Sequence, residues 1–126
     1  MNPIGTLDEI VVDCRDPQRL APFWLSVLGG NLVRESAEWV SIRTATGVPM
    51  AFQRVPESKA GKNRLHLDVE VVDLALACAA TVAQGATVFG RIHHDAYGSF
   101  QVMLDPEGNE FCFVISLRTP AADQHA

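Results

Sequence analysis

His66, Asp68 and Glu70 occupy alternate positions in the stretch Lys62-Asn63-Arg64-Leu65-His66-Leu67-Asp68-Val69-Glu70-Val71-Val72-Asp73. Such alternation reads as a strand, with an imidazole and two carboxylates on one face and Leu65, Leu67, Val69 and Val71 on the other. An imidazole beside carboxylates can ligate a divalent metal, move protons or hold a cation. A half-buried strand with a solvated face has the same pattern, so the stretch gains meaning only if other strands repeat it. Two do. Glu9 and Asp13 alternate with Ile10, Val12 and Cys14, and Glu110 and Cys112 alternate with Phe111, Phe113 and Ile115. If the apolar side is the packed one, Glu9, Asp13, His66, Asp68, Glu70, Glu110 and Cys112 share the opposite face, joined by Trp39, Ser41, Arg43 and Gln53. A cleft so rich in carboxylates favours cationic or metal-bearing ligands.

The elements that position these residues follow from punctuation and period. A first strand is expected over Thr6 to Cys14. Asp16-Pro17 starts a helix, with Asp as N-cap and Pro in the first turn, and Gly29-Gly30 ends it. Leu20, Phe23, Trp24, Val27 and Leu28 form its packing stripe; Pro22 should kink it or delay its start. Three strands follow, Asn31 to Glu35, Glu38 to Arg43 and Val48 to Val55. Residues 56–61 read as a linker. The organising strand leads into a helix from Asp73 to Gln84, packed through Leu74, Ala77, Cys78, Thr81 and Val82. Ala86 to Arg91 is a strand. Ile92 to Ser99, with His93, His94, Asp95 and Tyr97, reads as a mobile loop over the cleft mouth. Phe100 to Leu104 and Glu110 to Ile115 are the last strands, joined by a turn at Asp105-Pro106-Glu107-Gly108-Asn109. Residues 118–126 read as a frayed tail. The halves repeat: Glu9 to Asp16 and His66 to Asp73 have the same length and are offset by 57 residues. The expectation is an α+β fold in a single domain over 1–126. Two paired βαβββ modules, about 5–57 and 62–117, would form one curved mixed sheet with a concave cleft and helices outside.

Composition sets the outer bounds. The chain has 126 residues, a net charge of −5 and no basic cluster beyond Lys59, Lys62 and Arg64, which argues against nucleic acid as a partner. No apolar run approaches a membrane span. The first residues lack the pattern of a signal peptide, and Cys14, Cys78 and Cys112 lack metal-finger spacing, so reduced thiols in a cytoplasm are expected.

Three blocks, LDEIVVDCRDPQRLAPFW with LGG, NRLHLDVEVVD and LDPEGNEFCFV, resemble the vicinal-oxygen-chelate superfamily of glyoxalases, bleomycin-resistance proteins and dioxygenases, in its glyoxalase-like domain branch. The resemblance covers roughly residues 5 to 117. It implies two modules paired into a cup, and a homodimer. For metal-dependent members it implies ligands at the start of the first strand of each module and on the last strand of the second, which are Glu9, His66 and Cys112 here. The usual pattern, DPxGxxxE, ends in Glu, whereas this chain has Cys112. A thiolate shifts preference from magnesium or manganese towards zinc. Zinc, nickel, manganese and iron are all open. Glu110, two residues earlier on the same face, is an alternative carboxylate.

Three functions remain. The first, favoured by the carboxylate-lined face and the missing Glu, is a small-molecule binding protein that sequesters a cationic or aromatic ligand such as an antibiotic. Trp39, Ser41, Arg43, Gln53, His66, Asp68, His93, Tyr97, Glu110 and Cys112 would line its site. The second is a metal-dependent lyase, isomerase or dioxygenase acting on vicinal oxygens, with Glu110 or Glu70 as the proton carrier. The third is metal-free proton transfer by His66 with Asp68 or Glu110. The plain alternatives stand beside these. Cys112 also fits a small buried hydrophobe, Trp39 a dimer interface, and Asp68 and Glu70 partners for nearby cations.

Overall fold

The computed structural model describes residues 1–116 and divides into two compact units, Met1–Ala60 and a second beginning at Gly61. Each unit carries one strand-helix-three-strand module, so the α+β class and the internal repeat are both present.

In the first unit, β1 is Ile10–Cys14, α1 Pro17–Leu28, β2 Asn31–Glu35, β3 Trp39–Arg43 and β4 Pro49–Arg54. The sheet order is β1-β4-β3-β2; β1 runs parallel to β4 and the other neighbours are antiparallel. The helix begins where Asp16 can accept a hydrogen bond from the Arg19 amide, at 3.3 Å, and Pro17 has no amide hydrogen to leave unpaired. Leu20, Ala21, Phe23 and Trp24 are buried, and α1 packs on β3 and β4. The register pairs Val40 with Phe52 and Ile42 with Met50, all buried, so these two rows form the apolar floor under the helix. Chain reversal after α1 needs glycine: a β-carbon on Gly30, whose φ is +110°, would lie 1.9 Å from the Arg43 carbonyl oxygen.

In the second unit, β5 is Asp68–Glu70, α2 Leu74–Val82, β6 Thr87–Asp95, β7 Gly98–Leu104 and β8 Glu110–Ser116. The order β5-β8-β7-β6 repeats the first sheet, with β5 parallel to β8. Asp73 caps α2 by accepting from the Leu76 amide at 3.0 Å. Leu74, Ala86, Met103, Phe111 and Phe113 are buried, with the last two rings edge to face at 5.3 Å. No helix among the described residues is long and apolar enough to cross a membrane.

Several expectations need correction. β1 starts at Ile10, so Glu9 lies just before the ladder. The organising strand contributes only three residues to its ladder, and Leu65 is 72% exposed rather than packed. The start of helix α1 is not delayed by Pro22, which lies on the exposed side where water can reach the carbonyl left unpaired one turn earlier. Val82 is exposed. The largest change is β6. His93, His94 and Asp95 do not form a loop; they continue a strand paired to β7 and closed by a two-residue turn, Ala96-Tyr97.

A buried glutamine makes this possible. Phe89 pairs with Val102 and His93 with Phe100, so the three residues Gly90 to Ile92 face the single residue Gln101. Gln101 is 3% exposed, and its Nε2 lies within donating distance of the carbonyls of Phe89 (3.3 Å), Gly90 (3.2 Å) and Val102 (3.0 Å). It replaces the ladder bonds the bulge forfeits. Gln101→Leu should therefore cost about 1–3 kcal/mol in urea unfolding, with faster amide exchange confined to β6. Unchanged stability would mean that water serves those carbonyls equally well.

Candidate functional site

The β5–β8 ladder does the positioning. Cys112 donates its amide hydrogen to the Leu67 carbonyl at 3.0 Å, and Val71 does the same to Val114 at 3.0 Å. These bonds bracket β5 and set Asp68 beside Cys112 and Glu70 beside Val114. His66, two residues before Asp68, reaches the same side: its Nε2 is 3.2 Å from Asp68 Oδ1. One donor atom from each of His66, Asp68 and Cys112 lies within 4.8 Å of the other two. His66 and Asp68 are about half exposed, while Cys112 is half-buried. Burial pushes the Cys112 thiol up from its ordinary pKa; the Asp68 carboxylate pushes it further, and Lys62 opposes both.

A groove of about 480 Å³ continues from Asp68, lined among others by Glu70, Asp95, Tyr97, Phe100 and Val114. Glu70, Val114, Phe100 and His93 form one row across the four strands. The His93 ring stacks on Phe100 at 4.8 Å. Tyr97, at the tip of the β6–β7 hairpin, is 78% exposed, and its amide donates to Asp95 Oδ1 at 2.7 Å. Among the described residues, three carboxylates line the groove and no Lys or Arg does.

Of the residues predicted from the sequence, His66, Asp68, Glu70, His93, Tyr97 and Cys112 thus lie along one face of the second unit. Glu110 is also there, but its carboxylate accepts from the Asn63 amide at 3.1 Å and so ties down the entry to the unit. The first unit holds the rest. Trp39 sits beside Gln53 and Ser41 beside Ala51, on the face that also carries Asp13. The Arg34 guanidinium lies 5.8 Å from the Trp39 ring centre, covering one face of the ring. Arg43 turns back to the Gly47 carbonyl at 3.1 Å. Asp95, Phe100 and Val114 were not anticipated as lining residues. The hairpin sequence Asp-Ala-Tyr-Gly and the burial alternation of β7 were the available signals.

A family model described as glyoxalase-like domain matches residues 9–114. The chain belongs to that family. Among proteins with curated descriptions, none matches it. Solved structures share the glyoxalase-like fold at low identity. A glyoxalase/bleomycin resistance protein/dioxygenase family enzyme from Burkholderia phytofirmans PsJN is 19% identical, with a TM-score of 0.75 over 86% of this chain and 97% of that one. A fosfomycin resistance protein, FosX, from Listeria monocytogenes, solved with Mn(II) and 1S,2S-dihydroxypropylphosphonic acid, is 12% identical, with a TM-score of 0.76 over 98% of this chain and all of that one. A protein from Agrobacterium tumefaciens is 15% identical, with a TM-score of 0.74 over 91% of this chain and all of that one.

The proximity of Asp68 to Cys112 has a direct readout. In Asp68→Asn the charge that disfavours the thiolate is gone, so the Cys112 pKa should fall towards its ordinary value. Alkylation of Cys112 by iodoacetamide, followed by peptide mass spectrometry against pH, should then shift to lower pH. An unmoved profile would mean that burial alone sets it.

Proposed function

We propose that this chain is a glyoxalase/bleomycin-resistance-like binding protein whose second unit takes a cationic ligand with an aromatic portion, as in sequestration of an antibiotic. The observation that carries this reading is the groove. Asp68, Glu70 and Asp95 bring three carboxylates to it, while Phe100, Tyr97 and Val114 offer apolar and π surface. A ligand with a positive charge beside a planar ring satisfies both features. Its neutral isostere would keep the stacking and lose the attraction.

The test is calorimetric titration with a planar aromatic dye carrying a quaternary ammonium, and with its neutral isostere. A quaternary ammonium cannot ligate metal, so the carboxylates are read alone. The cation should bind more tightly at low salt than at high salt, and Glu70→Gln or Asp95→Asn should each weaken it about two- to fivefold. Preference for the neutral dye would sink the reading.

One observation favours a second reading, a metal-dependent lyase, isomerase or dioxygenase acting on vicinal oxygens: Asp68, whose carboxylate clusters with the His66 and Cys112 donors, also lines the groove with Glu70. Glu70, which lines the groove, or Glu110, whose carboxylate accepts from the Asn63 amide, would be the proton carrier.

A homodimer also belongs to this reading. The outer strands β2 and β6 are exposed along their whole length and carry Leu32, Val33, Val88, Phe89 and Ile92. Open edges with apolar side chains are surfaces that a second copy would cover. Sedimentation equilibrium should give twice the chain mass, and a monomer at micromolar concentration would overturn it. The free thiols Cys14, Cys78 and Cys112 support a reducing, cytoplasmic setting.

A further inference from the structure

We propose that His66, Asp68 and Cys112 form a zinc-class metal site in which Asp68 is the third protein ligand. The resemblance implies a different set, Glu9 with His66 and Cys112, and so takes one donor from the first unit. The second unit offers three donors without it. The inference does not depend on which small molecule the groove takes.

The geometry fits. Zinc–nitrogen and zinc–oxygen bonds of about 2.0 Å and a zinc–sulfur bond of about 2.3 Å place tetrahedral donors roughly 3.3–3.6 Å apart. His66 Nε2 and Asp68 Oδ1, at 3.2 Å, already span such an edge. The thiol must close the remaining gap from within 4.8 Å, a distance that side-chain rotation covers. The strand backbones need not move. Asp68 and Cys112 are neighbours in the ladder, and the Cys112 amide is bonded to the carbonyl of Leu67, the residue between His66 and Asp68. The sheet therefore fixes all three α-carbons before any ion arrives.

The donor chemistry decides the metal. One imidazole nitrogen, one carboxylate oxygen and one thiolate sulfur suit zinc, a borderline-soft ion, better than manganese(II) or magnesium, which take oxygen-rich sets. On binding, the sulfur–metal bond forms as the sulfur–hydrogen bond breaks, and the proton passes to water. An aspartate and a thiolate then balance the two positive charges of the ion. Three protein ligands would leave one position of a four-coordinate ion for water or another donor, and Asp68 also lines the groove.

The test uses the full chain, stripped with chelator and titrated with cobalt(II), which reports its own ligands by colour. About one equivalent should bind. It should give the near-ultraviolet thiolate-to-cobalt band and the intense visible bands of four-coordination. Cys112→Ser should lose the thiolate band. His66→Ala and Asp68→Asn should each weaken binding at least about tenfold, while Glu9→Gln stays within about twofold. Zinc should bleach the spectrum at stoichiometric concentration, and manganese(II) should not at a hundredfold excess. Circular dichroism should show each variant folded, since His66 and Asp68 are about half exposed. Absence of the thiolate band, displacement by manganese(II), or a Glu9→Gln loss equal to that of Asp68→Asn would each overturn the assignment. None of these outcomes bears on the quaternary-ammonium titration, which is read on metal-free protein.

Discussion

The short parallel ladder between β5 and β8 is the constraint on which the candidate site depends. Two amide-to-carbonyl bonds, Cys112 to Leu67 and Val71 to Val114, bracket three residues of β5 and place Asp68 beside Cys112. In a parallel pair, neighbours in register point their side chains to the same face. A slip of one residue would bring Leu67 or Val69 to the place of Asp68 and send the carboxylates into the face that holds Phe111 and Phe113. The buried aromatic pair on β8 therefore protects the polar geometry opposite it. What keeps the register is the cost of desolvating a carboxylate against those rings, with the two hydrogen bonds a smaller contribution.

The rest of the second unit extends this arrangement outward. From β8 the row passes through β7 to β6, where His93 stacks on Phe100 and Asp95 and Phe100 form the far wall. That wall exists because the bulge opposite Gln101 adds two residues to β6, an even number that leaves the faces in phase. An odd insertion would have turned His93 and Asp95 to the other side of the sheet. The glutamine holds the bulge from the packed face while its consequences appear on the open one. In this way a buried polar side chain shapes a site it does not touch.

Much of this was legible in the sequence because the strands are amphipathic. Parity alone placed Phe111 and Phe113 inside and Cys112 outside, and the Asp16 and Asp73 caps marked both helix starts. The β6 segment was not legible, since Gly90 to Asp95 has no alternation and two adjacent histidines look like a loop. The pairing with β7 closes through a two-residue turn, but the three-residue bulge at Gly90 to Ile92 interrupts any alternation that would have marked the strand. The cluster of three donors was only partly visible. The resemblance implied Glu9 with His66 and Cys112, whereas the closeness of Asp68 to Cys112 shows only once β5 and β8 are known to be neighbours in register. The contact on Trp39 was not visible either: the aromatic suggested ligand stacking or a dimer interface, and the structure adds Arg34 over one face of its ring.

Asp68 belongs to both features of the second unit, the donor cluster and the groove. A carboxylate can neutralise a metal ion or attract an organic cation, and the first use diminishes the second. With the metal-free cluster the groove presents three negative charges. With a divalent ion held by His66, Asp68 and Cys112, the charge of Asp68 would be consumed and the ion would keep a position for another donor. A cationic ligand is then at a disadvantage, while an oxygen or nitrogen donor gains a bond. By linkage, each ligand weakens the other by the same factor. On the two proposed readings, an organic cation and a metal ion would therefore compete for one carboxylate, and metal occupancy would set which class of small molecule the second unit favours.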